Sequence, residues 1–346
     1  MKLDEIDKNF KIEETINKEG LKFYNAEKEP FKIYGLIREG DRFRRLPGKV
    51  AKSVNEGVYA LHANTAGGRV RFITDSETAA IIAVMDKMYR ASHFPFTGTA
   101  GFDIYSDGIY KGTFRPQNDA ERGFEGIIGG LEKGKMKEIT INFPLYSDVK
   151  ELFIGLAENA EILSPMPYKN EKPVVFYGSS ITQGGCASRP GRSYQAVVSR
   201  RLNIDYVNLG FSGSARAEDK IIEYIKNLDM AAFVYDYDHN APNVAHLEAT
   251  HEKMFKAVRE AQPRLPIIIM PRPKYYLNDE EKKRRDIILK TYNNAVAAGD
   301  KNVYFIDNTK LTAECKGEGT VDNTHPTDFG FASMAKAVGD CLEKIL

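Results

Sequence analysis

Val174-Val175-Phe176-Tyr177-Gly178-Ser179-Ser180-Ile181-Thr182-Gln183-Gly184 reads as a buried strand that runs into a glycine-bounded turn with Ser180 at the bend. Far downstream, Asp322-Asn323-Thr324-His325 sets a carboxylate and an imidazole three residues apart. A serine hydroxyl is a poor nucleophile until a base takes its proton and a carboxylate orients that base. The two segments hold all three groups, and the chemistry they suggest is cleavage of an ester.

Each residue has a plainer reading beside this one. Ser180 could be an ordinary turn residue, because Gly-Ser-Ser suits loops. Thr324 or Thr327 could cap the last helix, with Pro326 near its first turn. The base must be one of six histidines. His62 and His93 fall in the first half, while His246 and His251 lie on an expected helix as surface or packing groups. His239 adjoins Asn240 and is a candidate substrate contact. Cys186 reads as a small loop residue. Asp236 and Asp238 could suggest a metal or a carboxylate pair, but a shared site is not expected. Two other motifs fail. The turn after residue 177 lacks the Gly-Lys-Ser/Thr of a phosphate-gripping loop, and Thr182 stands where an α/β-hydrolase elbow needs glycine.

The elements that must position these groups divide the chain of 346 residues in two. Up to about residue 160 the pattern is short strands broken by turns. Residues 101–105, the Asp107-Gly108 turn and residues 109–114 form an expected hairpin. Residues 138–143 alternate with period two, residues 152–156 follow as another strand, and no helical stripe of convincing length stands out. This spacing predicts an all-β sandwich over 1–165. Ser164 to Pro173 is polar and proline-rich, and a linker is expected at about 164–172. From 173 to 346 the rhythm becomes strand, helix, strand. Apolar runs at 174–177, 206–209, 231–235, 267–270 and 303–306 predict a five-stranded parallel sheet covered on both sides. Ile221, Ile222, Ile225 and Leu228 share one helical face, as do Met334, Val338, Leu342 and Ile345.

Sites on such sheets form at the carboxyl ends of the strands. Ser180 follows the first expected strand, Asn208-Leu209-Gly210-Phe211-Ser212-Gly213 closes the second, and Asp236-Tyr237-Asp238-His239-Asn240 follows the third. Asp322 and His325 follow the fifth. Arg272, between Pro271 and Pro273, follows the fourth, where a guanidinium could hold a polar or anionic part of a substrate. Arg189 and Arg192, in the loop after Ser180, are candidates for the same role.

Composition narrows the partners. A net charge of +1 gives no pull towards phosphate backbones or anionic membranes, so neither nucleic acid nor a membrane is expected. No apolar run reaches membrane-spanning length, and the first fourteen residues lack the apolar stretch of a secretory signal. Cys186, Cys315 and Cys341 form neither a disulfide framework nor a metal spacing, which points to a cytoplasmic protein with no metal or cofactor. Nothing in the sequence fixes an oligomeric state.

The order Gly-x-Ser, Asn-x-Gly-x-Ser-Gly, an Asn after the third strand, then Asp-x-x-His resembles the SGNH (GDSL-type) hydrolases over roughly residues 173–346. Gly101-Phe102-Asp103-Ile104-Tyr105 resembles the β-sandwich, jelly-roll-like domain that precedes one subgroup, the GxDLY proteins. The resemblance implies a flavodoxin-like α/β domain and esterase or acyltransferase chemistry without a metal. It makes Ser180 the nucleophile, His325 the base and Asp322 its orienting partner. It implies an oxyanion hole from the Ser180 and Gly213 backbone N–H groups and the Asn240 side chain, with Gly210 the competing choice to Gly213. Ser179 stands where the family has Asp, and Asp238 and Ala241 replace the Gly and Asp that flank the third-block Asn. Short acyl esters, acetyl above all and of carbohydrates by resemblance, are the expected substrates, although the chain has no Trp for a sugar platform and 18 Tyr must serve. The alternatives are an acyltransferase using the same acyl-enzyme and a non-catalytic glycan-binding protein.

Overall fold

The computed structural model describes residues 6–7, 11–12 and 15–346, so most of the first fourteen residues of the expected sandwich domain lie outside the described residues. In the first half, Leu21–Asn25, Val149–Ala157, Ala79–Met85 and Gly123–Ile128 pair in that order as one antiparallel sheet. The facing sheet runs Ile162–Leu163, Arg69–Thr74, Lys137–Asn142, Phe102–Ser106 and Ile109–Phe114, with Lys32–Tyr34 also paired to Arg69–Thr74. Ile81, Ala83, Leu152 and Ile154 from one sheet meet Val70, Phe72, Ile104, Ile139 and Ile141 from the other in a single core. Alternation of side chains along each strand produces this inner face, and the sandwich follows from it. The expected hairpin is present: Asp107 and Gly108 have φ of 49° and 77°, the positive values that a tight two-residue turn requires.

The second half is an α/β layer. Strands β1 (Val174–Gly178), β2 (Tyr206–Gly210), β3 (Ala232–Asp236), β4 (Ile267–Ile269) and β5 (Val303–Phe305) lie in the order β2-β1-β3-β4-β5, all parallel. That is the flavodoxin-like order, with its switch point between β1 and β3. Helices α1 (Ser180–Gln183), α2 (Tyr194–Leu202), α3 (Asp219–Lys226), α4 (Val244–Ala261), α5 (Asp279–Ala297), α6 (Asn308–Leu311) and α7 (Asp328–Ile345) connect and cover the strands. Val175, Tyr177, Phe233 and Tyr235 face a core shared with Ile221, Ile222 and Ile225 of α3 and Leu247 and Met254 of α4. Val174, Phe176 and Val234 face the opposite core, with Val198 of α2 and Met334, Val338 and Leu342 of α7. Of the expected helical faces, Leu228, which lies past the end of α3, and Ile345 are only partly buried against these cores. Among the described residues no helix is long and apolar enough to cross a membrane.

The first half also contains helices that the sequence pattern does not announce, Gly48–Val54 and Glu56–Leu61, too short at seven and six residues to display a helical period. Ala51 and Val58 bury themselves in the core of the α/β layer, beside Ile221 and Ile225, and not in the sandwich. The halves are further tied by Arg69, which is buried and donates to the Tyr206 carbonyl and pairs with Asp205.

Candidate active site

Strand β1 delivers the chain to the turn that carries Ser180. Gly178 is required there: a Cβ would sit 1.8 Å from Asp236 Oδ1 and 2.2 Å from Thr182 Oγ1. The Ser179 hydroxyl then accepts from the Ile181 N–H and caps α1, and Gly184 closes the helix in the left-handed region with φ of 104°. Asn208 of β2 locks the same turn, donating its amide to the Thr182 carbonyl at 2.7 Å. Beneath it, the buried Asp236 carboxylate is hydrogen-bonded to Thr182, and burial pushes its pKa well up.

Ser180 Oγ lies 2.8 Å from His325 Nε2, and His325 Nδ1 lies 2.7 Å from Asp322 Oδ2. Because Nδ1–H donates to the carboxylate, Nε2 carries the lone pair that faces the serine. Asp322 Oδ1 also accepts from the backbone N–H of Thr324 (3.1 Å) and His325 (2.7 Å), so the Asp-x-x-His loop folds around its own carboxylate. Burial alone would raise the Asp322 carboxyl, but the backbone and ring donors of His325 outweigh it and hold it below the usual range.

The loops that carry Gly213 and Asn240 are tied to the turn that carries the serine. Gly213 has φ of 67°, and its N–H makes no hydrogen bond among the described residues. Asn240 gives one amide hydrogen to the Phe211 carbonyl at 2.9 Å, and the Phe211 N–H in turn donates to the Gly178 carbonyl at 2.8 Å. The second and third loops are thus cross-braced onto the first, with one Asn240 hydrogen left over. Gly210 is packed tightly against α1: a Cβ on it would meet the Gln183 backbone nitrogen at 2.2 Å, and its N–H donates to Asn208 Oδ1 at 2.9 Å.

Residues 171–343 match the GDSL-like lipase/acylhydrolase family, and residues 21–162 match the N-terminal region of SGNH-hydrolase-type esterases. The chain belongs to the GDSL-like lipase/acylhydrolase family. It is an SGNH-type carboxylic ester hydrolase in fold and family. Similar solved structures include a protein described as a GDSL-like lipase from Bacteroides ovatus, 28% identical, with a TM-score of 0.83 over 94% of this chain and 98% of that one. The salicylyl-acyltransferase SsfX3 from a tetracycline biosynthetic pathway is 19% identical, with a TM-score of 0.77 over 95% and 99%. An acetyl xylan esterase from the rumen bacterium Butyrivibrio proteoclasticus is 14% identical, with a TM-score of 0.60 over 94% and 98%. No curated protein sequence matches.

In this SGNH hydrolase the arginines expected at the substrate turn out to be occupied. Arg189 bonds Asp103 at 3.0 Å and the Tyr105 hydroxyl, and lies 3.7 Å over the Tyr110 ring. Asp103 also accepts from the Gly191 N–H at 2.9 Å, so the Gly-x-Asp-x-Tyr segment docks the loop that follows the nucleophile. Arg189 is thereby a link between the halves, and Arg192 pairs with Asp328 at 3.3 Å. Arg272 pairs with Glu281 and stacks its donors against His239, lining a small cavity of about 170 Å³ with Asp238 and Arg284. Burial, with Arg272 beside it, holds the His239 imidazole well below its usual pKa. Asp236 and Asp238 have separate partners, Thr182 and the Arg272 N–H. His251 is buried against Thr291, His246 bonds the Arg216 carbonyl, and His62 bonds the Tyr59 carbonyl.

Sequence reasoning missed what the sandwich brings to the site. The Phe94 ring meets His325 edge-on at 5.6 Å, and His93 lies 5.8 Å from it. Tyr146 reaches the Ser180 carbonyl at 3.1 Å. Its ring continues through Tyr89 into a groove of about 550 Å³ lined by Asn64, Lys87, Tyr89, Asp148 and Ser212. The aromatic run His93-Phe94-Pro95-Phe96 was a visible signal for such a loop. A larger groove of about 840 Å³ lies between α4 and α5, and no Ser, Thr, Cys or His lines it.

Proposed function

We propose that this hydrolase cleaves short-chain acyl esters, acetyl esters of carbohydrates foremost, through Ser180, His325 and Asp322. The observation that carries the reading is the unbroken chain of contacts from Ser180 Oγ to His325 Nε2 at 2.8 Å and from His325 Nδ1 to Asp322 at 2.7 Å. Ser180 attacks the ester carbonyl carbon as its proton passes to His325. Asp322 orients the imidazole and stabilises its cation. The oxyanion that forms is met by the Ser180 and Gly213 N–H groups and the free Asn240 amide hydrogen. His325 then gives its proton to the departing alkoxide, and the same base later activates the water that releases the acid.

The sugar assignment is supported by the groove between the halves. Tyr89 is 46% exposed there and offers a ring face, while Asn64, Lys87 and Asp148 offer the polar groups that sugar hydroxyls need. The acetyl xylan esterase and a family two carbohydrate esterase from Clostridium thermocellum in complex with cellohexaose share the fold. In this reading the three free cysteines suit a reducing, cytoplasmic setting. The full-length fold it shares with a salicylyl-acyltransferase favours one second reading, transfer of the acyl group to an acceptor bound in the groove.

The test is labelling by a fluorophosphonate probe, followed by a screen of acetyl, butyryl and longer esters and acetylated sugars with competing alcohol acceptors. Labelling of the wild type and none of Ser180→Ala is expected, with rates falling beyond short acyl groups. Absence of labelling in folded protein would favour a non-catalytic glycan-binding role. Preference for long chains would reject the acetyl assignment, and acylated acceptor as the main product would favour transfer over hydrolysis.

A further inference from the structure

Beside Ser180, one donor atom each from His93, Cys186 and His325 lies within 4.8 Å of the other two. We infer that these residues form a site for a thiophilic divalent cation, with Zn2+ as its representative, and that binding there switches the hydrolase off. The inhibitory consequence rests on His325 being the catalytic base, as proposed above; the binding site itself does not.

Each donor is placed for ligation. His325 already donates Nδ1–H to Asp322, the carboxylate–histidine arrangement that fixes a metal-binding imidazole, so the Nε2 lone pair that now faces Ser180 Oγ at 2.8 Å is the one that can coordinate. His93 comes from the loop of the sandwich domain. Its imidazole makes no hydrogen bond among the described residues, and its nearest charged neighbour is Asp322 Oδ2 at 3.9 Å. With a side chain 40% exposed, it gives an ion a way in. The Cys186 thiol is buried, also without a hydrogen bond to it among the described residues, and its backbone is held at φ of 71° directly after Gly184 and Gly185. Left-handed backbone favours glycine, yet here it carries a sulfur turned towards the imidazoles.

Two imidazoles and a thiolate are the donor set for zinc and not for magnesium or calcium, which prefer oxygen. In a tetrahedral zinc site, donors stand about 3.3–3.6 Å apart, given Zn–N near 2.0–2.1 Å and Zn–S near 2.3 Å. With donors no more than 4.8 Å apart, the cluster closes by at most about 1.5 Å on binding, and water takes the fourth position. No electrons change hands. Both imidazoles donate lone pairs, and the Cys186 thiol gives its proton to solvent as the metal–sulfur bond forms. The lone pair on His325 Nε2 that accepts the Ser180 proton is then held by the ion, and the nucleophile has no base.

Two measurements on the full chain test this. Zn2+ titrated into a hydrolysis assay is expected to inhibit at one ion per chain, with reversal by EDTA and no effect of Mg2+ or Ca2+ at the same concentration. His93→Ala and Cys186→Ala should each raise the inhibitory concentration at least tenfold; the exposed His93 keeps the test open if the buried cysteine variant folds poorly. Co2+ added to Ser180→Ala should give a thiolate-to-cobalt charge-transfer absorption that Cys186→Ala lacks. Equal inhibition of the wild type and both variants, or no such absorption, would overturn the site. If Ser180→Ala still hydrolyses esters while the absorption appears, the catalytic reading fails and the metal site stands.

Discussion

Tyr146 of the sandwich donates its hydroxyl to the carbonyl of Ser180 at 3.1 Å. That carbonyl also receives the N–H groups of Gly184 at 3.1 Å and Gly185 at 2.8 Å, so the backbone of the nucleophile is held by three donors, one of them from the other half of the chain. Burial raises the Tyr146 pKa, which keeps the phenol protonated and a donor at any pH of interest. The sandwich thus contributes to the geometry of the serine as well as to the groove beside it.

Tyr146→Phe removes the third donor while preserving the ring packing against Phe94 and Tyr89. Two donors remain, so the carbonyl is not orphaned, and the loss in stability should be within about 1 kcal/mol. Displacement of Ser180 should lower kcat roughly threefold to tenfold with a smaller change in KM. Steady-state kinetics and denaturant unfolding read the two effects separately. A change in stability with kcat untouched would assign Tyr146 to packing alone.

Gly178→Ala inserts a methyl group between Asp236 and Thr182, where its Cβ would stand 1.8 Å and 2.2 Å from their oxygens. The hydrogen bond between them must open, and α1 must lift with Ser180 at its first position. Overpacking of this kind costs roughly 1–3 kcal/mol in stability. Because the nucleophile sits on the displaced turn, kcat should fall further than stability does, by about 10²-fold. Wild-type turnover in the variant would refute the view that Gly178 sets the approach of Ser180.

The α/β half was largely legible because its signals are local. Buried parallel strands read as short apolar runs, and four loops at one edge carried Ser180, Gly213, Asn240 and the Asp322–His325 pair. The unread parts depend on contacts between distant segments. Helices Gly48–Val54 and Glu56–Leu61 are too short to show a period, and they pack on α3, some 160 residues later. Arg189 looked like a substrate contact because it follows the nucleophile. Its partner Asp103 lies 86 residues upstream, beyond what spacing can reveal. His93 and Tyr146 reach the site only because two independent layers dock, and no rule of periodicity describes that docking.

His251 sets an acid limit on stability. Its ring is buried beside Tyr235 at 4.8 Å and Tyr237 at 5.9 Å, Nδ1 meets Thr291 at 2.8 Å, and burial pushes its pKa down to about 3. An unfolded histidine titrates near 6.5. Between those values the unfolded chain holds a proton that the folded one refuses, so stability is flat above about 6.5 and falls as pH drops towards 3. From pH 7.5 to 5 this amounts to about 2 kcal/mol. Asp238, pushed up to about 6 by burial against the pull of Arg272, works in the opposite sense, losing stability as pH rises from about 4 to 6. The difference between wild type and His251→Gln isolates the histidine. The variant should be less stable at pH 7.5 but lose about 2 kcal/mol less on acidification to pH 5. Parallel curves for the two proteins would contradict a neutral, buried His251.

Asn240 offers the sharpest test of the oxyanion assignment, because its amide is already oriented. One hydrogen is fixed on the Phe211 carbonyl at 2.9 Å, which directs the other without a need to reorganise during the reaction. Asn240→Ala should cost about 10²–10³ in kcat, or roughly 3–4 kcal/mol of transition-state stabilisation, with KM little changed. Asn240→Asp should cost more, since a carboxylate cannot donate and would place negative charge beside the developing oxyanion. Both variants should still react with a fluorophosphonate, more slowly, because Ser180 and His325 remain in contact at 2.8 Å. Retention of wild-type kcat in Asn240→Ala would leave the oxyanion to the Ser180 and Gly213 N–H groups alone. A fall in stability of Asn240→Ala large enough to account for its loss of kcat would mean that the side chain acts through its bond to Phe211 and the loop it braces.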